Sequence, residues 1–248
     1  MKLILIGLCT IIAASCNFKG QNKNLDNDKS RIKNNNQISF RLILPNTFEF
    51  RRIEFLNYVN TTRINISDFA LKHGWDSLTN EEFMDSVMIF DDKNSFNKTL
   101  LIIAGADTSM KLPETYCAAL EKRTLVSVSP EYYSKVYPEG IEENSFIKLL
   151  THEMAHRLHV RILGGDEEAM GPIWFYEGFA IYVADQFSKS NIILSKEEMI
   201  RIMKEPERGS YLKYNYLFRY FAKKIPIRDL ILRAKNKDFN EELFSMLD

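Results

Sequence analysis

The stretch "LLTHEMAHRLHV", Leu149 to Val160, holds three of the chain's four histidines. His152 and His156 are four positions apart, and Glu153 directly follows the first of them. On a helix, residues four apart share a face and lie about one turn from each other. Two imidazoles so placed can both reach a single Zn²⁺ at about 2.0–2.1 Å. Glu153 then stands one step round the helix, near a water on such an ion but outside its ligand set, where a general base belongs. The chemistry requires a helix, and "NSFIKLLTHEMAHRLHVRIL" predicts one over about 143–163. Its Phe146, Leu149, Leu150, Met154, Leu158 and Ile162 are available to pack on a core.

A catalytic zinc takes three protein ligands and leaves a fourth position open. Downstream lies "GPIWFYEGFAIYVADQF", where Glu177 opens another helical pattern 21 positions after His156. "HEMAH" followed by "WFYEGFA" resembles the gluzincin metallopeptidases, which include thermolysin and the aminopeptidase N-like enzymes. In that group the glutamate of a W-x-x-E-G-x-A segment completes the zinc site. The resemblance covers about Asn144 to Asp185 well and the later helices loosely. It implies a zincin-like domain with one Zn²⁺ per chain, held by His152, His156 and Glu177, and with Glu153 as base. His159, seven residues beyond His152, returns to nearly the same face and is a rival ligand. One straight helix does not readily present three ligands tetrahedrally over two turns, so His159 is expected to pack or hydrogen-bond beside the site.

Further roles follow from the same resemblance. A tyrosine that opens a later helix donates to the oxyanion in the aminopeptidase N-like enzymes, which points to Tyr211 in "GSYLKYNYLFRYFAKKI". Tyr214, Tyr216 and Tyr220 fit an aromatic packing stripe instead. A ligating imidazole needs a partner for its second N–H, and Asp185 is the candidate. Thermolysin-like enzymes place that acid four after the glutamate, where this chain has Ile181. The strand "TLVSVSP", Thr124 to Pro130, reads as an edge or half-buried strand, the kind of edge on which gluzincins pair an extended substrate. No counterpart of the aminopeptidases' G-x-M-E-N segment is present, which favours an endopeptidase over an aminopeptidase.

These residues must be positioned by a fold, and its texture changes along the chain. "ISFRLILP", "SVMIFDD", "KTLLIIAGAD" and "TLVSVSP" read as strands. "TFEFRRIEFLNYVN" has helical spacing, and a helix start near Ser77 to Phe83 takes Asn80 as its cap. Further helices are expected at about 173–188, 195–205 and 211–225, with a last pair within 227–247. Strands in the first half and helices in the second predict an α+β fold, a small mixed sheet beside a mainly helical C-terminal half.

Ahead of the domain, expected at 38–248, stand two segments of another kind. Residues 1–16 read as a signal peptide whose "AASC" resembles a bacterial lipobox, with Cys16 acylated. Residues 17–37 are polar and rich in asparagine and lysine, a disordered tether. The expected protein is therefore exported and lipid-anchored in a bacterial cell envelope, at the outer membrane or cell surface, or secreted if Cys16 is not acylated. Cys117 then remains without a disulfide partner and is expected to be a small buried apolar residue. Basic and acidic residues balance, 33 against 33, so no nucleic-acid partner is expected. The expected partners are a peptide or protein substrate and the membrane. The alternative is a catalytically silent, surface-anchored binding module that retains the zinc site. His73 reads as an ordinary surface or loop residue.

Overall fold

The computed structural model describes residues 40–247. The signal, lipobox and tether readings, with Cys16 and Ile38, lie outside them. Four strands, β1 (Arg41–Ile43), β2 (Ser86–Phe90), β3 (Ala118–Glu121) and β4 (Thr124–Val128), form a mixed sheet in the order β1-β2-β4-β3. β1 and β4 each run parallel to β2, and β3 runs antiparallel to β4. The helices are α1 (Arg52–Lys72), α2 (Lys93–Ala104), α3 (Pro130–Val136), α4 (Ser145–Ile162), α5 (Ile173–Val183), α6 (Lys196–Lys204), α7 (Tyr211–Ala222), α8 (Ile227–Arg233) and α9 (Phe239–Phe244). The fold is α+β, with a small mixed sheet and a mostly helical remainder. Buried apolar residues from both halves form one cluster, from Phe40 to Leu247. No helix among the described residues is long and apolar enough to cross a membrane.

Three local readings are corrected. "KTLLIIAGAD" lies mostly in α2, not in a strand. Asp92 accepts the Ser95 N–H at the helix start, and Gly105 ends it at a φ of 71°. Phe96, Leu100 and Leu101 are buried while Ile102 faces out, so the apolar run is one face of a helix. No helix begins at Asn80, which instead follows the 3₁₀ turn Asp76–Thr79. Carbonyls on both sides of Asn80 are taken by α4: the Arg161 guanidinium donates to Leu78 O, Glu81 O and Glu82 O at 2.6, 2.8 and 2.9 Å. "TLVSVSP" forms β4, but as an interior strand between β2 and β3. The edge is β3, whose Ala-Ala-Leu-Glu sequence has no β-branched residue and is held as a strand by pairing with β4 through the Lys122–Arg123 turn.

The helical half sets the site. α4 packs between α1 and α5, and α5 lies along α7. Gly178 permits that second contact, because a Cβ there would fall 2.9 Å from Phe218 Cβ and 3.1 Å from Tyr214 O. α5 ends at Val183, short of the expected 188. Asp185 takes a left-handed φ of 52°, and the N–H groups of Asp185 and Gln186 donate back to Tyr182 O and Ile181 O. His73, at the end of α1, is half-buried and stacks on Trp75 at 5.4 Å.

Candidate metal centre

α4 carries His152 and His156 on one face, and α5 brings Glu177 against them. His152 Nε2 lies 3.1 Å from His156 Nε2 and 3.1 Å from Glu177 Oε2, and His156 Nε2 lies 3.6 Å from the same oxygen. Three donors each about 2.0–2.1 Å from one tetrahedral ion would stand about 3.3–3.4 Å apart, so this triangle has the size of a metal's ligand set. His152 and Glu177 are buried, with Glu177 only 1% exposed. This group of two imidazoles and a carboxylate, buried except for the partly exposed His156, could hold a metal ion.

Neighbours fix each donor. Gln186 Oε1 lies 3.0 Å from His152 Nδ1 and accepts its N–H, so Nε2 is the nitrogen turned toward the other two donors. The turn that carries Gln186 is tied down from two helices: Lys148 of α4 donates to Asp185 O at 2.6 Å, and Asn215 of α7 donates to Phe187 O at 3.0 Å. Glu177 Oε1, the oxygen away from the imidazoles, receives Arg208 Nη2 at 2.7 Å. Burial works to raise the Glu177 pKa, but the Arg208 charge and both histidines outweigh it and hold the carboxyl well below the usual range. Burial likewise disfavours charge on His152, yet the Glu177 carboxylate beside its Nε2 favours the protonated ring and raises its pKa above the ordinary value, so a metal ion must displace that proton to bind. His156 is lowered, burial being the chief cause.

Glu153 is half-buried beside the triangle. Loss of water around its carboxyl pushes its pKa up to about 7, against the pull of the His152 and Arg208 charges. Tyr211, at the start of α7, lays its ring parallel to His152, with centroids 5.6 Å apart and an interplanar angle of 19°. Tyr176 meets His156 edge-on at 5.8 Å. Such a group offers three converging donors for a cation, a half-buried carboxyl and a phenol on one wall.

His159 is not among the converging donors. It is fully buried, with its ring 4.6 Å from Phe179 and 5.9 Å from Phe175, and neither ring nitrogen has a hydrogen-bond partner. Asp185 is not the partner of His152 either. Its carboxylate is exposed and receives Arg219 and Ser188, because the left-handed turn at Asp185 sends the next residue inward.

Three neighbours of the site escape a reading of the sequence alone. Gln186 needs the turn after α5 to be recognised, and a non-glycine in a left-handed turn leaves little signal. Arg208 lies in "EPERGS", a polar stretch that reads as a linker. Tyr116, just before β3, is within electrostatic reach of Glu153 and Arg208, and burial raises the pKa of its hydroxyl. Its backbone is anchored by buried Lys93, whose Nζ donates to Tyr116 O at 2.7 Å.

Comparison with protein-family models, with curated proteins and with solved structures found no match to this chain.

Proposed function

We propose that the protein is a zinc-dependent peptidase of the gluzincin kind, with His152, His156 and Glu177 as ligands and Glu153 as general base. The observation that carries this reading is the convergence of His152, His156 and Glu177 on one point, with Glu153 at the adjoining position of the same helix. The donor set fits zinc, which takes imidazole nitrogen and carboxylate oxygen in tetrahedral catalytic sites. When bound, the ion activates water and polarises the carbonyl under attack.

The chain's own groups do the rest. His152 is oriented by Gln186, so Nε2 is the nitrogen that would ligate once its proton is displaced. Glu153 takes the proton of the attacking water and returns it to the leaving amine, a task suited to a carboxyl placed one step round the helix from the ligand pair. Tyr211, held against His152, donates a hydrogen bond from its phenol to the oxyanion. β3, one of the two edge strands and the one next to β4, offers a sheet edge for an extended substrate, the part the sequence assigned to the β4 segment. Without a G-x-M-E-N counterpart to grip a free amine, cleavage is internal rather than at the N-terminus. An exported chain held by a lipid on Cys16 completes the reading.

The test is digestion of an unbiased peptide mixture by the purified protein, with and without a chelator, alongside Glu153→Gln. Chelator-sensitive cleavage that disappears in Glu153→Gln, with zinc still bound, is the expected result. Full hydrolysis by that variant removes the mechanism. Bound zinc without any cleavage favours the silent binding module.

A further inference from the structure

The two oxygens of Glu177 have separate partners. Oε2 faces the imidazoles of His152 and His156, while Oε1 receives Arg208 Nη2 at 2.7 Å, and the side chain is 1% exposed. A carboxylate can bind an ion through one oxygen or chelate it through both. The guanidinium is charged at every working pH, and an N–H to carboxylate contact of this length is at the strong end for such bonds. We propose that Arg208 makes Glu177 a one-oxygen ligand and thereby keeps a coordination position of the ion open beside Glu153. The proposal rests on the metal-site reading given above and adds a positioning residue to it.

Arg208 is held for this task. Its loop precedes α7, and Tyr214 of that helix spans it from within: the hydroxyl donates to Glu207 O at 3.4 Å and accepts the Gly209 N–H. Both neighbours of Arg208 are thus tied to one phenol. The guanidinium also lies next to Tyr176, whose ring borders His156. Gly178 lets α5 approach α7, so Glu177 comes within reach of a loop belonging to the next helix.

An arginine so close to a dication has two opposed effects on affinity. It keeps the buried carboxylate ionised and oriented, and it repels the ion. Affinity alone therefore does not report its role, and the coordination mode does. A site chelated by both oxygens has one fewer place for water or a carbonyl.

Wild type, Arg208→Met and Arg208→Lys are each loaded with cobalt(II) for visible absorption and with zinc for crystallography, metal content being measured in every sample. In wild type, one Glu177 oxygen is expected at about 2.0–2.2 Å from the zinc, with the other on Arg208. In Arg208→Met both oxygens close on the ion, and the cobalt bands weaken as coordination rises above four. Arg208→Lys, which keeps a donor for Oε1, returns the spectrum toward wild type. A chelating Glu177 in the wild-type crystal, or a cobalt spectrum unchanged in Arg208→Met, overturns the proposal. Should Arg208→Met fail to fold, the wild-type crystal and the lysine variant still decide it. Wild type that takes up neither metal sinks the metal reading itself and the proposal with it, an outcome separate from any failure in the variants.

Discussion

His152 and Gln186 meet with Nδ1 3.0 Å from Oε1, across the junction between α4 and the turn that ends α5. The pair sets which ring nitrogen of His152 faces Glu177. Gln186→Leu removes the acceptor and leaves a buried N–H without a partner. Metal affinity should fall about 10–100-fold, while Gln186→Glu should retain it. Competition against a chromophoric chelator measures both, and unchanged affinity in Gln186→Leu would refute this role.

Tyr211→Phe keeps the ring that lies on His152 and deletes only the hydroxyl. If the phenol serves the oxyanion, kcat should drop by about 10²–10³ with metal content unaltered. Steady-state kinetics on a peptide identified from the mixture would show it. Equal rates would return Tyr211 to a packing role.

His159 makes a different forecast, on stability and pH. Burial drives its pKa from an ordinary 6.5 to about 3, so between those values the unfolded chain binds a proton that the native chain does not. The stability present above pH 6.5 is lost as pH falls toward 3, by an amount on the order of a few kcal/mol for this residue. His159→Phe, which places an aromatic ring among Phe175 and Phe179, should move the acid-unfolding midpoint to lower pH. Circular dichroism across a pH series tests this, and identical midpoints would contradict it.

Gly178→Ala inserts a methyl group where Phe218 Cβ is 2.9 Å away. α5 and α7 must part or shift, at a cost of about 1–3 kcal/mol. Denaturant unfolding gives the loss. Because the same shift moves Glu177 away from Arg208, metal affinity should change as well.

The part of the site that was legible in the sequence is the part set by local periodicity. The spacing of His152, Glu153 and His156 becomes geometry as soon as α4 forms, and α4 is secured by nine buried residues from Phe146 to His159. Glu177 became legible only with the "WFYEGFA" motif beside it, since its meeting with the imidazoles depends on how α5 crosses α4. Gln186 and Arg208 were illegible for the same reason at longer range, one placed by a turn and the other by a loop pinned from α7. In the sheet, Ala118–Glu121 gained strand structure from its partner and not from its own side chains. Lys93–Ala104 went the other way, a short apolar run whose caps, Asp92 and Gly105, decided for helix.

His152 and Glu177 are 25 residues apart in the chain and on different helices. An ion shared between them would act as a clasp, closing that span much as a covalent staple would and stabilising the native state by an amount that rises with the logarithm of free metal. Scarcity of such an ion would then shorten the protein's survival among proteases at the same time as it emptied the site.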